Sequence, residues 1–162
     1  MPDQTQWTVY LSESVSLIYE KLKADSLELL KKDPENITHP KVRDFINIRK
    51  AIWDASANPS DEGFRLGKSL GAHTSWRRIK RNIPERYRFF FRFFSVEREI
   101  YFVWINDERH LRRAGHKSDV YSEFRRRLDA GKVPENRAEL LKDSTACDVK
   151  EFNPDNPPKK RG

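Results

Sequence analysis

Apolar residues in this chain keep two rhythms, and the places where one gives way to the other mark its elements. Trp7 to Leu11 is a short β-type run, and Ser12, with Glu13 and Ser14 behind it, supplies N-cap chemistry for a helix. From about Glu13 to Lys32, Val15, Ile18, Tyr19, Leu22, Leu29 and Leu30 recur at helical spacing until Asp33-Pro34 stops them. Pro40 opens a second helix, in which Val42, Phe45, Ile46, Arg49, Ile52, Trp53 and Ser56 follow the i, i+3, i+4, i+7 pattern. Asn58-Pro59-Ser60-Asp61 then breaks the chain, and Phe64 to Gly71 reads as an ordered connection with little regular structure.

Period two takes over after Trp76. Trp76 to Lys80 is a short strand with Arg78 and Lys80 on the face opposite Ile79. Arg86 to Phe94 is a longer one: Tyr87, Phe89, Phe91 and Phe93 form an aromatic wall that helices must cover, and Arg86, Arg88, Phe90, Arg92 and Phe94 share the other side. A tight connection at Asn82 to Glu85 makes the two strands antiparallel neighbours, with Arg78 and Lys80 pointing the same way as Arg86 and Arg88. Glu99 to Ile105 is apolar almost throughout, as expected of a central strand buried on both faces. Asp119 caps a helix with Val120, Tyr121, Phe124 and Leu128 on one face, Gly131 ends it, and Glu135 to Lys142 makes one more. The pattern predicts an α+β domain over 1–147 and a flexible Pro/Lys-rich tail over 148–162.

Charge sharpens this picture. Residues 1–63 carry eight Lys/Arg against eleven Asp/Glu, whereas residues 76–98 carry eight Lys/Arg against only Glu85 and Glu97. Nearly all of the chain's formal +7 therefore sits in the two arginine-bearing strands. Seven of those eight cations are Arg, whose guanidinium grips oxyanions in a bidentate fork, so a polyanion and above all nucleic acid is the expected ligand. One cysteine, Cys147, excludes an intrachain disulfide and a Cys-based metal cage. No apolar run approaches the ~20 residues that span a bilayer, and Met1 to Thr8 lacks signal-peptide character, so a soluble, cytoplasmic protein with no membrane partner is expected.

Several short motifs then occur in order: Asn58-Pro59-Ser60, Phe64-Arg65 with Gly67-Lys68-Ser69-Leu70-Gly71, Trp76 with Arg78 and Lys80, and Arg86-Tyr87-Arg88 with Phe90-Phe91-Arg92. Trp104 with Asn106-Asp107-Glu108 follows, then Leu111-Arg112, Gly115, Lys117, Asp119, Tyr121 and Phe124. Over roughly residues 7–134 this series resembles the YhaV-type toxins of bacterial type II toxin–antitoxin systems. The turn at Asn82 to Glu85 looks one residue longer than the family pattern and lacks its glycines, and the Pro-rich tail has no counterpart in it. The resemblance implies a RelE-like fold, with an N-terminal strand and two helices behind a mostly antiparallel sheet whose open face binds RNA, and a C-terminal helix. It also implies an endoribonuclease that cuts mRNA, often on the ribosome, restrained by a cognate PrlF-type antitoxin in a hetero-oligomer that meets operator DNA.

Metal-free ribonucleases of this class use the RNA's own 2′-hydroxyl as nucleophile, so the protein must supply a base, cations for the phosphorane oxygens and an acid for the 5′-oxygen. Arg78, Arg86, Arg88 and Arg92 are the expected cations, or ordinary backbone-positioning groups. Lys80 is a candidate for proton transfer if neighbouring guanidiniums pull it down from about 10.4, and otherwise a phosphate clamp. Asp107 and Glu108, at the end of the central strand, suit a base, a support for the arginines or a helix cap. Lys68, Asn106, Arg112 and Lys117 lie in matched segments and are expected to touch RNA. Phe90 and Phe94 either stack on unpaired bases or pack under the C-terminal helix; Tyr121 lies on an apolar helical face and reads as core. His110 and His116 have suitable intrinsic pKa values, but the match spans neither. The acidic residues near Asp107 are too few and too ringed by cations for Mg²⁺, so no metal or other cofactor is expected. The rival readings are a non-catalytic RNA or ribosome binder and a ParE-like gyrase inhibitor.

Overall fold

Ser12 is both the last residue of a strand and the cap of a helix. The computed structural model describes residues 7–67, 69–106, 112–113, 116 and 118–156. Its first strand, β1 (Thr8–Ser12), ends where the Ser12 hydroxyl accepts the Val15 N–H at 3.2 Å to start α1 (Glu13–Lys32). The same hydroxyl donates to the Val103 carbonyl at 2.7 Å, which ties the cap to the middle of the sheet. Asp33 stops the helix, a 3-10 turn (Pro34–Thr38) redirects the chain, and α2 (Pro40–Ala57) begins with Pro40 in its first turn. Both helices lie where the spacing predicts and bury Val15, Tyr19, Val42, Phe45, Arg49, Ile52 and Ser56, whereas Ile18 and Ile46 of the predicted faces are exposed.

The remaining elements are β2 (Arg77–Ile79), β3 (Phe89–Phe94), β4 (Glu99–Ile105), α3 (Val120–Asp129), α4 (Arg137–Asp143) and β5 (Ser144–Asp148). Five strands lie in the order β2-β3-β4-β1-β5, and only the β1–β4 pair is parallel. This is the α+β architecture expected of a RelE-like chain. On one face α1 and α2 cover Phe89, Phe91, Ile100 and Phe102. On the other, α3 and α4 cover Phe90, Tyr101, Val103 and Trp104. The register steps from Phe90↔Trp104 to Phe91↔Phe102, so Val103 is an extra residue and it and Trp104 both face α3.

Four expectations need correction. The strand predicted over Arg86 to Phe94 begins at Phe89, because Arg86 adopts a left-handed backbone (φ 71°) that breaks the pleat. The RNA-facing side of the sheet is not open: Phe90 is fully buried, its ring 4.2 Å from Phe124 and 5.8 Å from Trp104, so it cannot stack on bases. So much ring surface has to leave water, and α3 is the element that covers it. The third is an omission: Ser144–Asp148, to which the pattern assigns no element, forms the edge strand β5.

The boundary at Asp148 also falls inside ordered structure. Val149 and Phe152 are buried against α1 and α2, Glu151 accepts from Lys23 (2.7 Å) and Tyr19 (3.2 Å), and Arg49 donates to the carbonyls of Glu151 (2.9 Å) and Asn156 (2.5 Å). Two apolar anchors and a buried arginine suffice to order a segment whose composition reads as flexible. Phe90→Ala should lower unfolding free energy by about 3–5 kcal/mol, measured by urea denaturation, the cost of deleting a ring from a closed core. A value near zero would mean that the second face is not the packed layer described.

Candidate active site

Asp119 builds the start of α3 and, through it, the site. Its Oδ2 accepts the Tyr121 N–H at 3.1 Å, and its Oδ1 accepts Arg112 Nη1 at 2.8 Å and the Arg113 N–H at 2.5 Å. Tyr121 thus stands in the first turn of a helix pinned to the sheet by Phe124. Its hydroxyl accepts from Arg78 Nε (β2) at 3.1 Å and from Arg88 Nε at 3.0 Å, and the Arg112 guanidinium lies 4.9 Å above its ring. Both lone pairs of the phenol oxygen are thereby used, which leaves its own O–H as a donor. Three half-buried guanidiniums surrounding one phenol form a ready oxyanion site.

Asn106 sets the geometry of the loop that carries Arg86 and Arg88. It is buried, its Oδ1 accepts the Arg88 N–H at 2.7 Å and its Nδ2 donates to the Arg86 carbonyl at 3.2 Å. Arg112 N–H also donates to the Arg86 carbonyl, at 2.9 Å. A strand ladder is thereby replaced by one side-chain amide, and the left-handed Arg86 is held with its side chain exposed. Asn106 therefore reaches the site through backbone support and not as an exposed contact.

The other candidates separate. Lys80 lies just past β2, exposed, and lines a cleft with Asp54 of α2 and with Asp61, while no contact among the described residues joins it to the Tyr121 cluster. Arg92 shares the face of Arg88 but is already engaged: its Nη1 donates to the Glu135 carbonyl, its guanidinium lies 5.2 Å over Phe94, and burial lowers its pKa. Phe94 is half-buried beneath that guanidinium. Lys68, Asp107, Glu108, His110 and Lys117 lie outside the described residues. Among the described residues no group of three His, Cys, Asp or Glu is placed to hold a metal ion, and no helix is long and apolar enough to cross a membrane. Tyr121 is the residue that periodicity assigned to the core. It is indeed only 8% exposed, and its one distinguishing signal in the sequence is a hydroxyl on an otherwise apolar helical face.

A helix-capped phenol ringed by arginines, on an α+β sheet with its positive charge gathered at one end, suits a protein that acts on a phosphodiester. Residues 9–145 match the family described as a toxin with endonuclease activity, of a toxin–antitoxin system, and the chain belongs to this family. Among its relatives are the ribonuclease toxin YhaV of Escherichia coli strain K12 and the toxin YhaV of Escherichia coli O157:H7. Each is 33% identical over 142 residues, which cover 85% of this chain and 92% of the relative. No solved structure matches the chain. An endonuclease of a toxin–antitoxin pair has an antitoxin for a partner.

The support beneath Arg92 titrates. Glu135 also accepts His73 Nδ1 at 2.9 Å and Trp76 Nε1 at 3.4 Å through its carboxylate, and Asp129 takes His73 Nε2 at 2.7 Å. Hydrogen bonding to Asp129, and after it to Glu135, raises the His73 pKa above the ordinary 6.5 against the opposing effect of desolvation. The stabilisation is therefore complete below 6.5 and is lost as pH rises through the higher folded value. Thermal unfolding midpoints should fall as pH rises above 6.5, and His73→Gln should flatten that slope. An unchanged slope in the variant would remove His73 as its source.

Proposed function

We propose that this toxin is a ribonuclease whose reacting phosphate sits against Arg78, Arg88 and Arg112 with the Tyr121 hydroxyl at the leaving oxygen. The observation that carries this reading is the double acceptance at Tyr121, by which two guanidiniums orient the phenol and leave its proton pointing away from both. RNA as substrate is supported by the name of the E. coli K12 relative, a ribonuclease toxin, and by an arginine-rich site that needs a nucleophile from its substrate.

The 2′-oxygen forms a bond to phosphorus while the P–O5′ bond breaks, which gives a 2′,3′-cyclic phosphate and a free 5′-hydroxyl. The 2′-hydroxyl proton passes to a base, assigned to Asp107 from its place directly after Asn106. Arg78, Arg88 and Arg112 offset the charge growing on the non-bridging oxygens. The leaving 5′-oxygen takes the Tyr121 proton, and Arg78 and Arg88 stabilise the phenolate until solvent returns a proton. Arg86, exposed beside them, holds a flanking phosphate, and Lys80 holds another across β2. Messenger RNA on the ribosome, a PrlF-type antitoxin and operator DNA reached through the toxin–antitoxin complex complete the reading on the family resemblance.

Tyr121→Phe keeps the ring and removes the proton donor. Its single-turnover cleavage of an RNA oligonucleotide should fall by about 10²–10⁴, with the melting temperature and binding of an uncleavable 2′-deoxy analogue little changed. Wild-type cleavage should persist in chelator and stop when the scissile nucleotide is 2′-deoxy. A Tyr121→Phe enzyme that cuts at the wild-type rate would refute the assignment of the acid.

A further inference from the structure

On the α2 side of β2 the surface dips into a cleft of about 220 Å³, lined by Asp54, Asp61, Gly63, Phe64, Lys80 and Arg81. It adjoins the phosphate site through one side chain: Arg78 donates from Nη1 to the Gly63 carbonyl at 2.8 Å and from Nε to the Tyr121 hydroxyl at 3.1 Å. The cleft therefore lies one guanidinium's width from the reacting phosphate, within reach of a neighbouring nucleotide on the same strand. Room for one base, an aromatic wall and two cations at the mouth make a nucleotide-sized receptacle, and a base laid against Phe64 gains stacking contact.

The two carboxylates differ. Asp61 Oδ1 accepts the Gly63 N–H at 2.8 Å and so belongs to the turn. Asp54 is exposed in the last turns of α2, and no hydrogen bond or ion pair engages it among the described residues. An ionised carboxylate only accepts hydrogen bonds, and it accepts two side by side. In single-stranded RNA the Watson–Crick edge of a base is free to meet it. Guanine offers two adjacent donors there, N1–H and the N2 amine. Adenine and cytosine set an acceptor nitrogen beside their amine, and uracil flanks its one N–H with two carbonyls. Guanine alone satisfies both oxygens, while Lys80 and Arg81 offset the repulsion between Asp54 and the RNA backbone.

We propose that this cleft binds a guanine next to the cut phosphodiester, read by Asp54, and so decides which RNA sites are cut. The proposal deepens the ribonuclease reading and rests on it. The test is binding of uncleavable 2′-O-methyl RNA oligonucleotides, followed by fluorescence anisotropy, in which inosine replaces guanosine at one position at a time and removes only the N2 amine. In the wild-type protein one position should show a loss of about tenfold or more, as for a single bidentate base contact. Asp54→Ala should abolish that difference, and Asp54→Asn, which exchanges an acceptor for a donor, should move the preference from guanine to bases with an acceptor nitrogen beside an amine, adenine and cytosine. Asp54 is a surface residue, and circular dichroism should report an unchanged fold for both variants. Equal binding of guanosine and inosine at every position, or a preference that survives Asp54→Ala, overturns the proposal. Unmodified RNA of the same sequence separates the two readings: RNA cut without guanine preference sinks only the cleft, whereas RNA left whole by a protein that still prefers guanosine sinks only the cleavage chemistry.

Discussion

The seating of α3 on the sheet through Phe124 is the contact from which the site follows. Phe124 lies stacked on Phe90 at 4.2 Å and on Trp104 at 5.4 Å, and Trp76 meets its edge at 5.1 Å. Stacked and edge-on rings fix a helix in translation and in rotation about its axis, because the ring quadrupoles reward particular offsets as well as contact area. One turn earlier on the same helix, that fixed rotation aims the Tyr121 hydroxyl at the end of β2 and at Arg88. A helix held by aliphatic contacts alone would slide more freely, and a phenol that must meet two guanidiniums at 3.0 and 3.1 Å has little tolerance for sliding.

Covering both faces has a consequence for how a polyanion approaches. A polyanion cannot lie across a sheet covered on both faces, and the arginines left at the surface gather at the strand ends and around the β2 edge, where Arg78, Arg86, Arg88 and Arg112 stand and where the cleft with Asp54 opens. Arg92, two same-face positions further along β3, is drawn into the fold by the Glu135 carbonyl. Chemically identical side chains four positions apart on β3 and its approach thus separate into a guanidinium at the Tyr121 cluster and a structural tie. What separates them is the loop at Glu135, which closes over one and leaves the other at the rim.

The far side of the sheet is locked by charge. Glu99 is buried, and its carboxyl is held below the usual carboxylate range first by Arg137, which donates to it at 2.6 and 3.1 Å, and then by the hydroxyls of Tyr101 and Tyr10. That bond fastens α4 to the start of β4. Lys23 and Arg49 do the same for residues 149–156 on the opposite face. Helix α4 and residues 149–156 are therefore anchored independently of the arginine cluster, and substitutions in the cluster can be read as chemistry more than as loss of fold.

Much of this was legible in the residues. Helix spacing located α1 and α2 with their boundaries at Ser12, Asp33 and Pro40, period two located β3, an almost unbroken apolar run located β4, and the run of arginines between Arg77 and Arg92 pointed to a phosphate ligand. These are local properties: a hydrophobic period, a cap and a charge density depend on neighbours a few positions away. The register that places Phe90 under Phe124, the left-handed turn at Arg86 bridged by Asn106, the capture of Arg92 by Glu135, the anchoring of Phe152 and the exposure of Lys80 on the other side of β2 all depend on groups tens of residues distant. Tyr121 shows the difference most clearly. Its place on an apolar face follows from helical period alone, but its hydroxyl meets two guanidiniums only because folding brings Arg78 and Arg88, from two other segments, to its lone pairs.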